Sequence, residues 1–278
     1  MITRRKRKLT FSLVLLLILM AVSLLPFYLM IAGSFKPSMA FFMVPMDMNP
    51  FTNLSLNNYK AVLKKVDMFR AFGNSLFITG MTVLITVCIS AMGGYVFAKK
   101  QFAGKRALFA VLMATMMLPR QLLMVPNFII ANSLSLVNKP IGVVLTSVNA
   151  AYGIFLCKQY MASLMDEMIE AAVIDGCGEI RLFTRIILPL TKPVIGALMI
   201  FTFISNWNDF IWQNIMLTSK ANRTIPLALS YLIGLADGVS TIGPQMAGAT
   251  LSAVPIVLFF LAFQRYFIKG ISIGAVKG

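Results

Sequence analysis

The sequence predicts an all-α membrane protein with six transmembrane helices, and two observations lead to this prediction. Of the 278 residues, 59% are hydrophobic and only 12% are charged, whereas water-soluble domains average about 45–50% apolar and about 25% charged residues. Six apolar stretches are also long enough to cross about 30 Å of hydrocarbon as helices that rise about 1.5 Å per residue. Lipid is therefore the better solvent for this chain than one water-soluble core would be.

The six predicted spans are Thr10–Ser34, Asn74–Ala98, Ala107–Ala131, Pro140–Met161, Pro193–Met216 and Met246–Phe267. Pro119, Pro126 and Pro255 lie within or near spans, where they are expected to kink or break the helix. A kinked or broken helix frees backbone groups that lipid cannot hydrogen-bond. The spans are therefore expected to pack on one another as a bundle.

Small residues in the second span predict such a close contact. Ser90, Gly94 and Ala98 recur every four residues, a small-xxx-small ladder that lets two helix backbones approach. The three cysteines are far apart and lack metal-ligand spacing. Cys88 and Cys157 lie in or near apolar stretches and are expected to be buried small hydrophobes.

Basic residues in the loops set the predicted orientation. The net charge of +16 comes from 25 Lys and Arg against 9 Asp and Glu. Since the basic residues lie between apolar blocks, topology explains them, and membrane lipid rather than nucleic acid is the expected partner. Dense basic clusters at 4–8 and 99–106 place both termini in the cytoplasm, and the longer, less densely charged loop 34–70 is assigned to the outer side.

The predicted organisation follows from these assignments. Residues 1–9 form a cytoplasmic N-terminus, residues 10–268 form the six-span domain with a cytoplasmic loop at 162–192, and residues 269–278 form a cytoplasmic tail.

The loop of residues 162–192 carries five of the nine acidic residues. Leu164–Ile174 has the pattern of a short amphipathic helix, with Leu164, Met168, Ala171 and Ala172 on one side. Gly176 and Gly178 are expected to end it, and a second helical stretch, Glu179–Leu188, is expected to end at Pro189. Such a helical hairpin outside the membrane predicts a docking element for a soluble partner, or otherwise an ordinary hairpin.

The residues of this loop have a recognisable pattern. Glu170-Ala171-Ala172, Gly176 and Ile186-x-Leu188-Pro189 match E-A-A-x3-G-x9-I-x-L-P at every fixed position, and Asp175 and Phe183 fit as well. The loop thus resembles the EAA loop of permeases in ATP-binding-cassette importers; only Cys177 departs from it, standing where alanine is usual. The resemblance implies a type I importer permease fold and a coupling helix that docks on an ATPase subunit. The residues it assigns to coupling are Glu170, Ala171, Ala172, Asp175, Gly176, Ile186, Leu188 and Pro189.

Other segments narrow the resemblance to one branch. They resemble carbohydrate permeases of the maltose, glycerol-phosphate and multiple-sugar type, and the C-terminal ending resembles the smaller, maltose-G-like subunit of the pair. The segments are Ser34-Phe35-Lys36, Asn57-Asn58-Tyr59, Asn74-Ser75, Pro119 with Pro126, Trp207-Asn208, Gln264–Phe267 and Gly274–Gly278.

The resemblance implies a complex in a bacterial plasma membrane. Its other members would be a homologous second permease subunit, two ATPase subunits that hold ATP and Mg, and an extracellular solute-binding protein. No cofactor is expected in this chain itself. The sequence does not identify the sugar.

Several other functions are excluded or disfavoured by the sequence. Without histidine there is no His–metal site or Ser/His triad. Lys99 stands where a phosphate-binding loop ahead of Gly104-Lys105 would need its first glycine. A membrane enzyme using Arg120 or Asp209 finds no paired carboxylates or nucleophile–base pair, so no catalytic or metal residue is predicted. A permease for an amino acid or polyamine and a scaffold without transport remain as alternatives.

Polar residues inside two spans are the remaining candidates for function. Thr202, Asn206, Asp209 and Gln213 are spaced 4, 3 and 4 residues apart, which predicts one stripe along a continuous fifth span. The stripe is expected to face either the translocation path or the partner interface. Arg120 and Asp209 are predicted at similar depth, where they either pair or share a polar pocket; alternatively, Arg120 reaches the headgroups while Asp209 bonds to the partner subunit.

Overall fold

The computed structural model describes residues 2–37, 49, 52–234 and 242–275, with side chains for 10–37, 49, 52–231 and 242–265. The chain divides into two compact units, Met1–Met68 with Ala228–Val254, and Phe69–Leu227 with Pro255–Gly278. The end of the Gly274–Gly278 signature and all side chains of the 269–278 tail lie outside the described residues.

The described elements are helices. In chain order they are α1 (Ile2–Ser34), α2 (Asn57–Lys65), α3 (Met68–Lys99), α4 (Lys105–Met116), α5 (Met124–Ser133), α6 (Pro140–Ser147), α7 (Ala150–Ala162), α8 (Asp166–Ile174), α9 (Glu179–Leu182), α10 (Leu188–Leu190), α11 (Lys192–Trp207), α12 (Ile211–Met216), α13 (Ile225–Gly234) and α14 (Ile242–Ala275). A 3-10 turn, Arg120–Leu123, precedes α5, and a π turn, Phe183–Ile187, joins α9 to α10.

Six membrane spans are accommodated when each bent pair of helices counts as one. Three single helices, within α1, α3 and α14, are long and apolar enough to cross a bilayer. The other three spans are bent, by 94° between α4 and α5, by 45° between α6 and α7, and by 73° ahead of α11. By length and composition the described helices thus allow three to six spans, and the predicted number of six requires each bent pair to count as one span.

In the first unit, two segments that carry the family resemblance contact each other. The Asn58 amide donates to the carbonyl oxygens of Ser34 and Lys36 at 2.9 and 2.7 Å. The Tyr59 and Ser34 hydroxyls lie 2.7 Å apart, and the Lys36 ammonium, almost fully buried, donates to Thr52 at 2.8 Å. These polar residues thus fix the end of α1 to α2.

In the second unit, the predicted small-residue ladder packs α3 against α7. A Cβ at Gly94 would collide with Cys157, and a Cβ at Gly153 would collide with the Ser90 side chain. The two backbones therefore touch where the sequence predicts close approach. Cys157 is buried there as expected, but Cys88 is exposed, because it lies on the other side of α3.

The helix boundaries test the predicted start of the second span and the breaks predicted at three prolines. The second span begins at Met68, so Asn74 and Ser75 lie inside α3, where the Ser75 hydroxyl accepts from the Ile225 amide at 2.9 Å. Pro119 stands at the 94° bend, as predicted. Pro126 and Pro255 do not break their helices: Pro126 lies in the first turn of α5, where a missing amide donor removes no helical bond, and α14 continues through Pro255.

Candidate coupling loop and translocation path

The loop of residues 162–192 is a helical hairpin whose corner is Gly176. This glycine has φ +76°, the left-handed conformation that ends many helices and favours glycine. The Gly176 and Cys177 amides donate back to Val173 and Ala172 at 3.0 and 2.9 Å. The predicted turn is present, but crowding does not explain the glycine, since a Cβ there would meet nothing within 4 Å.

The second arm of the hairpin is longer than predicted. It is helical from Glu179 to Leu190, with the π turn in its middle, so Pro189 lies inside the arm rather than ending it. Pro189 comes two residues after the π turn, and its missing amide leaves one hydrogen bond of the arm unformed.

One face of the hairpin packs on the ends of the spans. Ala172, Leu182 and Ile187 are buried in a cluster with Cys157 and Met161 of α7 and with residues of α3 and α11. Ile186 is half-buried against this cluster, and Leu188 is also half-buried. Ala171 is exposed although its neighbour Ala172 is buried, so the apolar face of α8 is narrower than the sequence predicts.

Two lysines at the end of α3 hold the hairpin by polar contacts that sequence reasoning missed. The Lys99 ammonium, on a side chain only 6% exposed, donates to Asp166 Oδ1 and to the Leu164 carbonyl, both at 2.6 Å. The Lys100 ammonium donates to Glu179 Oε2 at 2.7 Å, and the Tyr95 hydroxyl donates to Glu179 Oε1 at 2.6 Å. Each arm of the hairpin is thus attached to the same end of α3.

These hydrogen bonds shift the pKa values of Lys100 and Glu179. The hydrogen bond to Glu179 raises the pKa of Lys100, and the hydrogen bonds from Lys100 and Tyr95 lower the pKa of Glu179. Both groups therefore hold their charged forms over a wider pH range than free side chains do.

The opposite face of the hairpin presents both charge and apolar surface. Glu170, Asp175 and Pro189 are exposed. Val173, Ile174 and Ile180 are 55%, 84% and 81% exposed and flank the Gly176 corner. Exposed apolar side chains clustered beside a rigid turn are typical of a surface that binds another protein.

The fifth span is interrupted where the sequence predicts a continuous stripe. α11 ends at Trp207 and α12 begins at Ile211, so Asp209 lies in the break and Gln213 lies on a separate helix. The Asp209 carboxylate accepts from the Trp212 amide at 3.2 Å, which satisfies a free donor at the start of α12. The prediction of one helical stripe is therefore wrong.

The four polar residues of that stripe nevertheless belong to connected networks. The Asn206 amide donates to the Thr202 carbonyl at 2.9 Å, and the Gln213 amide donates to the Asn206 carbonyl at 2.8 Å. Gln213 also accepts from the Thr224 hydroxyl. These bonds connect α11 to α12 across the break.

Arg120 and Asp209 form an ion pair between the broken third and fifth spans. Arg120 Nη2 donates to Asp209 Oδ2 at 2.9 Å, with Asp209 only 11% exposed and Arg120 46% exposed. Direct pairing, one of the alternatives left open by the sequence, is the arrangement the structure has. Both residues follow helices of 12 and 16 residues, α4 and α11, so a rise of about 1.5 Å per residue gives them similar depths.

A polar cavity of about 670 Å³ opens beside this pair. It is lined from α4 to α7 and by α11, and its lining includes no carboxylate. The hydrogen-bonding side chains around it belong to Thr115, Arg120, Asn127, Thr146, Ser147, Asn149, Tyr152, Thr202, Ser205 and Asn206. Thr202 and Asn206 therefore face the cavity, whereas Gln213, 2% exposed, lies within the protein.

Bent apolar spans around a polar cavity, with a helical hairpin held at the span ends, define a membrane permease subunit. The chain belongs to the family described as "Binding-protein-dependent transport system inner membrane component", whose model matches residues 90–273. It is therefore a multi-pass membrane protein and a transport subunit.

Individual relatives agree with this assignment. The chain is 33% identical over 274 residues to the arabinooligosaccharides transport system permease protein AraQ of Bacillus subtilis, covering 96% of each chain. It is 34% identical to the protein of the same name from Halalkalibacterium halodurans, covering 92% of each chain. The resemblance to carbohydrate importer permeases is thus confirmed.

A solved structure shares the fold. In the crystal structure of a bacterial ABC transporter involved in the import of the acidic polysaccharide alginate, one chain superposes with a TM-score of 0.83 over 93% of this chain and 95% of that one. The sequences are 21% identical, and the match extends over nearly all of the permease fold.

Proposed function

We propose that this permease imports an oligosaccharide, as one of two homologous subunits that together enclose the translocation path. The chemistry of the cavity supports this proposal. Amide and hydroxyl side chains such as Asn149, Thr202 and Asn206 can donate to and accept from sugar hydroxyls. A lining without carboxylates also offers nothing to neutralise a polyamine or the ammonium of an amino acid.

The remaining partners follow from the two faces of the hairpin. Its exposed face, around Glu170 and Gly176, docks on one of two ATPase subunits that hold ATP and Mg. When the ATPase subunit moves, the buried face of the hairpin transmits that movement to the spans through α3 and α7. An extracellular binding protein delivers the sugar, and both termini lie in the cytoplasm of a bacterial cell. The observation that carries the proposal is this division of one hairpin into a docking face and an attached face.

The test is stimulation of ATP hydrolysis in the reconstituted complex. Binding protein loaded in turn with arabino-, malto- and galacto-oligosaccharides, an amino acid and a polyamine is added at equal concentration. We expect one oligosaccharide class to raise ATP hydrolysis and to appear inside the vesicles. Stimulation by the amino acid or polyamine, with none by any sugar, would contradict the proposed substrate class.

A further inference from the structure

A second cavity, of about 630 Å³, lies at the corner where α3 turns into α4. Its lining includes three basic side chains, Lys105, Arg106 and Lys158, and three phenylalanines, Phe97, Phe102 and Phe109. The lining includes no acidic residue. Nothing in the proposed transport mechanism uses this cavity.

The positive charge of the cavity is not neutralised within the described part of the chain. Lys105 donates to the Lys100 carbonyl at 2.6 Å, which holds its ammonium at the corner without cancelling its charge. Lys158 lies over the Phe109 ring at 4.1 Å from the centroid. Neither Arg106 nor Lys158 forms an ion pair with a described carboxylate.

The backbone adds to the same field. α4 begins after Gly104, whose φ is +78°, and has neither a capping side chain nor an acidic residue in its first turn. Its first amide groups therefore point toward the corner without intrahelical acceptors, and the helix dipole adds partial positive charge there.

The position of the cavity indicates what it binds. It lies where two apolar spans meet a short loop, which is the level of the lipid headgroups whichever side of the membrane that is. α4 has no buried residues, and its apolar side chains Leu108 and Val111 are 56% and 64% exposed, as side chains facing acyl chains are. The helix that contributes Lys105 and Arg106 to the cavity thus also carries lipid-facing apolar side chains.

We propose that this corner binds the phosphate headgroup of an anionic glycerophospholipid. The guanidinium of Arg106 and the two ammoniums contact the phosphate oxygens, and the three phenylalanines contact the glycerol and first acyl carbons. Basic pockets between transmembrane helices bind anionic headgroups in this way. The inference goes beyond the proposed function and rests only on the chain being a membrane protein.

The test is native mass spectrometry of the detergent-purified protein after exchange into equal amounts of phosphatidylglycerol and phosphatidylethanolamine. The wild type is expected to retain phosphatidylglycerol preferentially. The variant K105Q/R106Q/K158Q should lose this preference by on the order of a hundredfold, since each cation near a headgroup contributes about tenfold or less. The matched control, K60Q/K64Q/K65Q, removes three exposed charges from α2 and should bind lipid as the wild type does.

Three results would overturn the proposal. The first is an unchanged preference in the triple variant, with R106Q alone as the second measurement if that variant misfolds. The second is displacement of the lipid by millimolar inorganic phosphate, which would make this a soluble-anion site. The third is unchanged lipid retention with loss of the copurifying ATPase subunit, which would make it a protein contact. None of these readouts requires transport, so they are independent of the substrate proposal.

Discussion

The hairpin attachment and the intramembrane ion pair use the same chemistry in different surroundings. Lys99, Lys100, Asp166 and Glu179 pair at the membrane edge, with both carboxylates more than half exposed. Asp209 pairs with Arg120 beside a cavity within the spans and is 11% exposed. Exposed pairs contribute about 0.2–1 kcal/mol each, whereas an unpaired charge near mid-membrane costs about 2.5–3.5 kcal/mol.

This difference assigns different roles to the two sets of charges. Several weak polar contacts and a buried apolar face together hold the hairpin against the spans. Loss of any single ion pair should therefore be tolerated. Within the spans, the pair offsets a cost that each partner would otherwise impose alone. In the hairpin, substitutions that change the backbone turn should therefore have the largest effect. Within the spans, substitutions that change a charge should have the largest effect.

The largest effect is expected at the hairpin corner. Gly176→Val places a β-branched residue at φ +76°, a strain of about 1–3 kcal/mol. We expect the turn to change, and sugar-stimulated ATP hydrolysis and transport to fall at least tenfold, while abundance in the membrane stays near normal. Glu170→Lys, which reverses an exposed charge on the docking face, should uncouple in the same way.

Gly178→Val is the matched control for the corner. Gly178 has φ −65°, which any residue adopts, and a Cβ there meets nothing within 4 Å. The Gly178→Val variant should keep its sugar-stimulated ATP hydrolysis and transport. Degradation of Gly176→Val or Glu170→Lys, or full activity of either, would mean that the loop is structural or dispensable rather than a coupling element.

The next effect concerns the ion pair within the spans. Arg120→Asp and Asp209→Arg each juxtapose like charges beside the cavity, and each should abolish transport and lower membrane abundance because of the cost of about 2.5–3.5 kcal/mol per unpaired charge. The double swap restores one positive and one negative charge, so it should recover part of the transport activity and part of the membrane abundance. Lys64→Asp, the same reversal at an exposed position of α2, should have little effect. A swap that recovers nothing would argue against functional pairing.

Local sequence signals explain what could be predicted of this molecule. Apolar length predicts six spans, Pro119 predicts the third-span break, and Gly176 predicts the hairpin corner, because each rule acts within a few residues. The break after Trp207 was missed, since polar residues at helical spacing also fit an unbroken helix. Only the folded chain shows that Asp209 accepts from the Trp212 amide at the start of α12.

The attachment of the hairpin could not be predicted for another reason. Tyr95 and Lys100 meet Glu179 across 84 and 79 residues of sequence. Nine acidic and 25 basic residues allow many pairings, and only the packing of α3 on α7 selects these. The coupling roles remain predictions for all eight assigned residues: Glu170, Ala171, Ala172, Asp175, Gly176, Ile186, Leu188 and Pro189.

A smaller effect is expected from the attachment itself. Because the pKa of Glu179 is lowered, its contribution to stability is present above the ordinary glutamate pKa and is lost as the pH falls through the lowered value. Because the pKa of Lys100 is raised, its contribution is present below the ordinary lysine pKa and is lost as the pH rises through the raised value. Thermal unfolding of the detergent-purified protein should show a plateau between these limits.

Glu179→Gln should lower the free energy of unfolding on that plateau by about 1 kcal/mol or less, as expected for an exposed pair. It should also weaken the loss of stability at low pH, here called the acidic edge. Glu167→Gln, at an exposed position of α8, is the matched control and should leave the acidic edge in place. An acidic edge that persists unchanged in Glu179→Gln would show that the attachment does not contribute.

The smallest effect on activity, and the sharpest separation of path from packing, is expected from single cysteines in the former stripe. Thr202 lines the cavity, whereas Gln213 is 2% exposed and bonded to Asn206 and Thr224. Cys88, Cys157 and Cys177 are first replaced by serine or alanine, since Cys88 is exposed. In that background a membrane-impermeant thiol reagent should label Thr202→Cys in at least one transport state, as expected if the cavity belongs to the translocation path. Gln213→Cys should stay unlabelled in every state. Labelling of both would make the whole stripe water-accessible, and labelling of neither would make the cavity a dry interface with the second permease subunit.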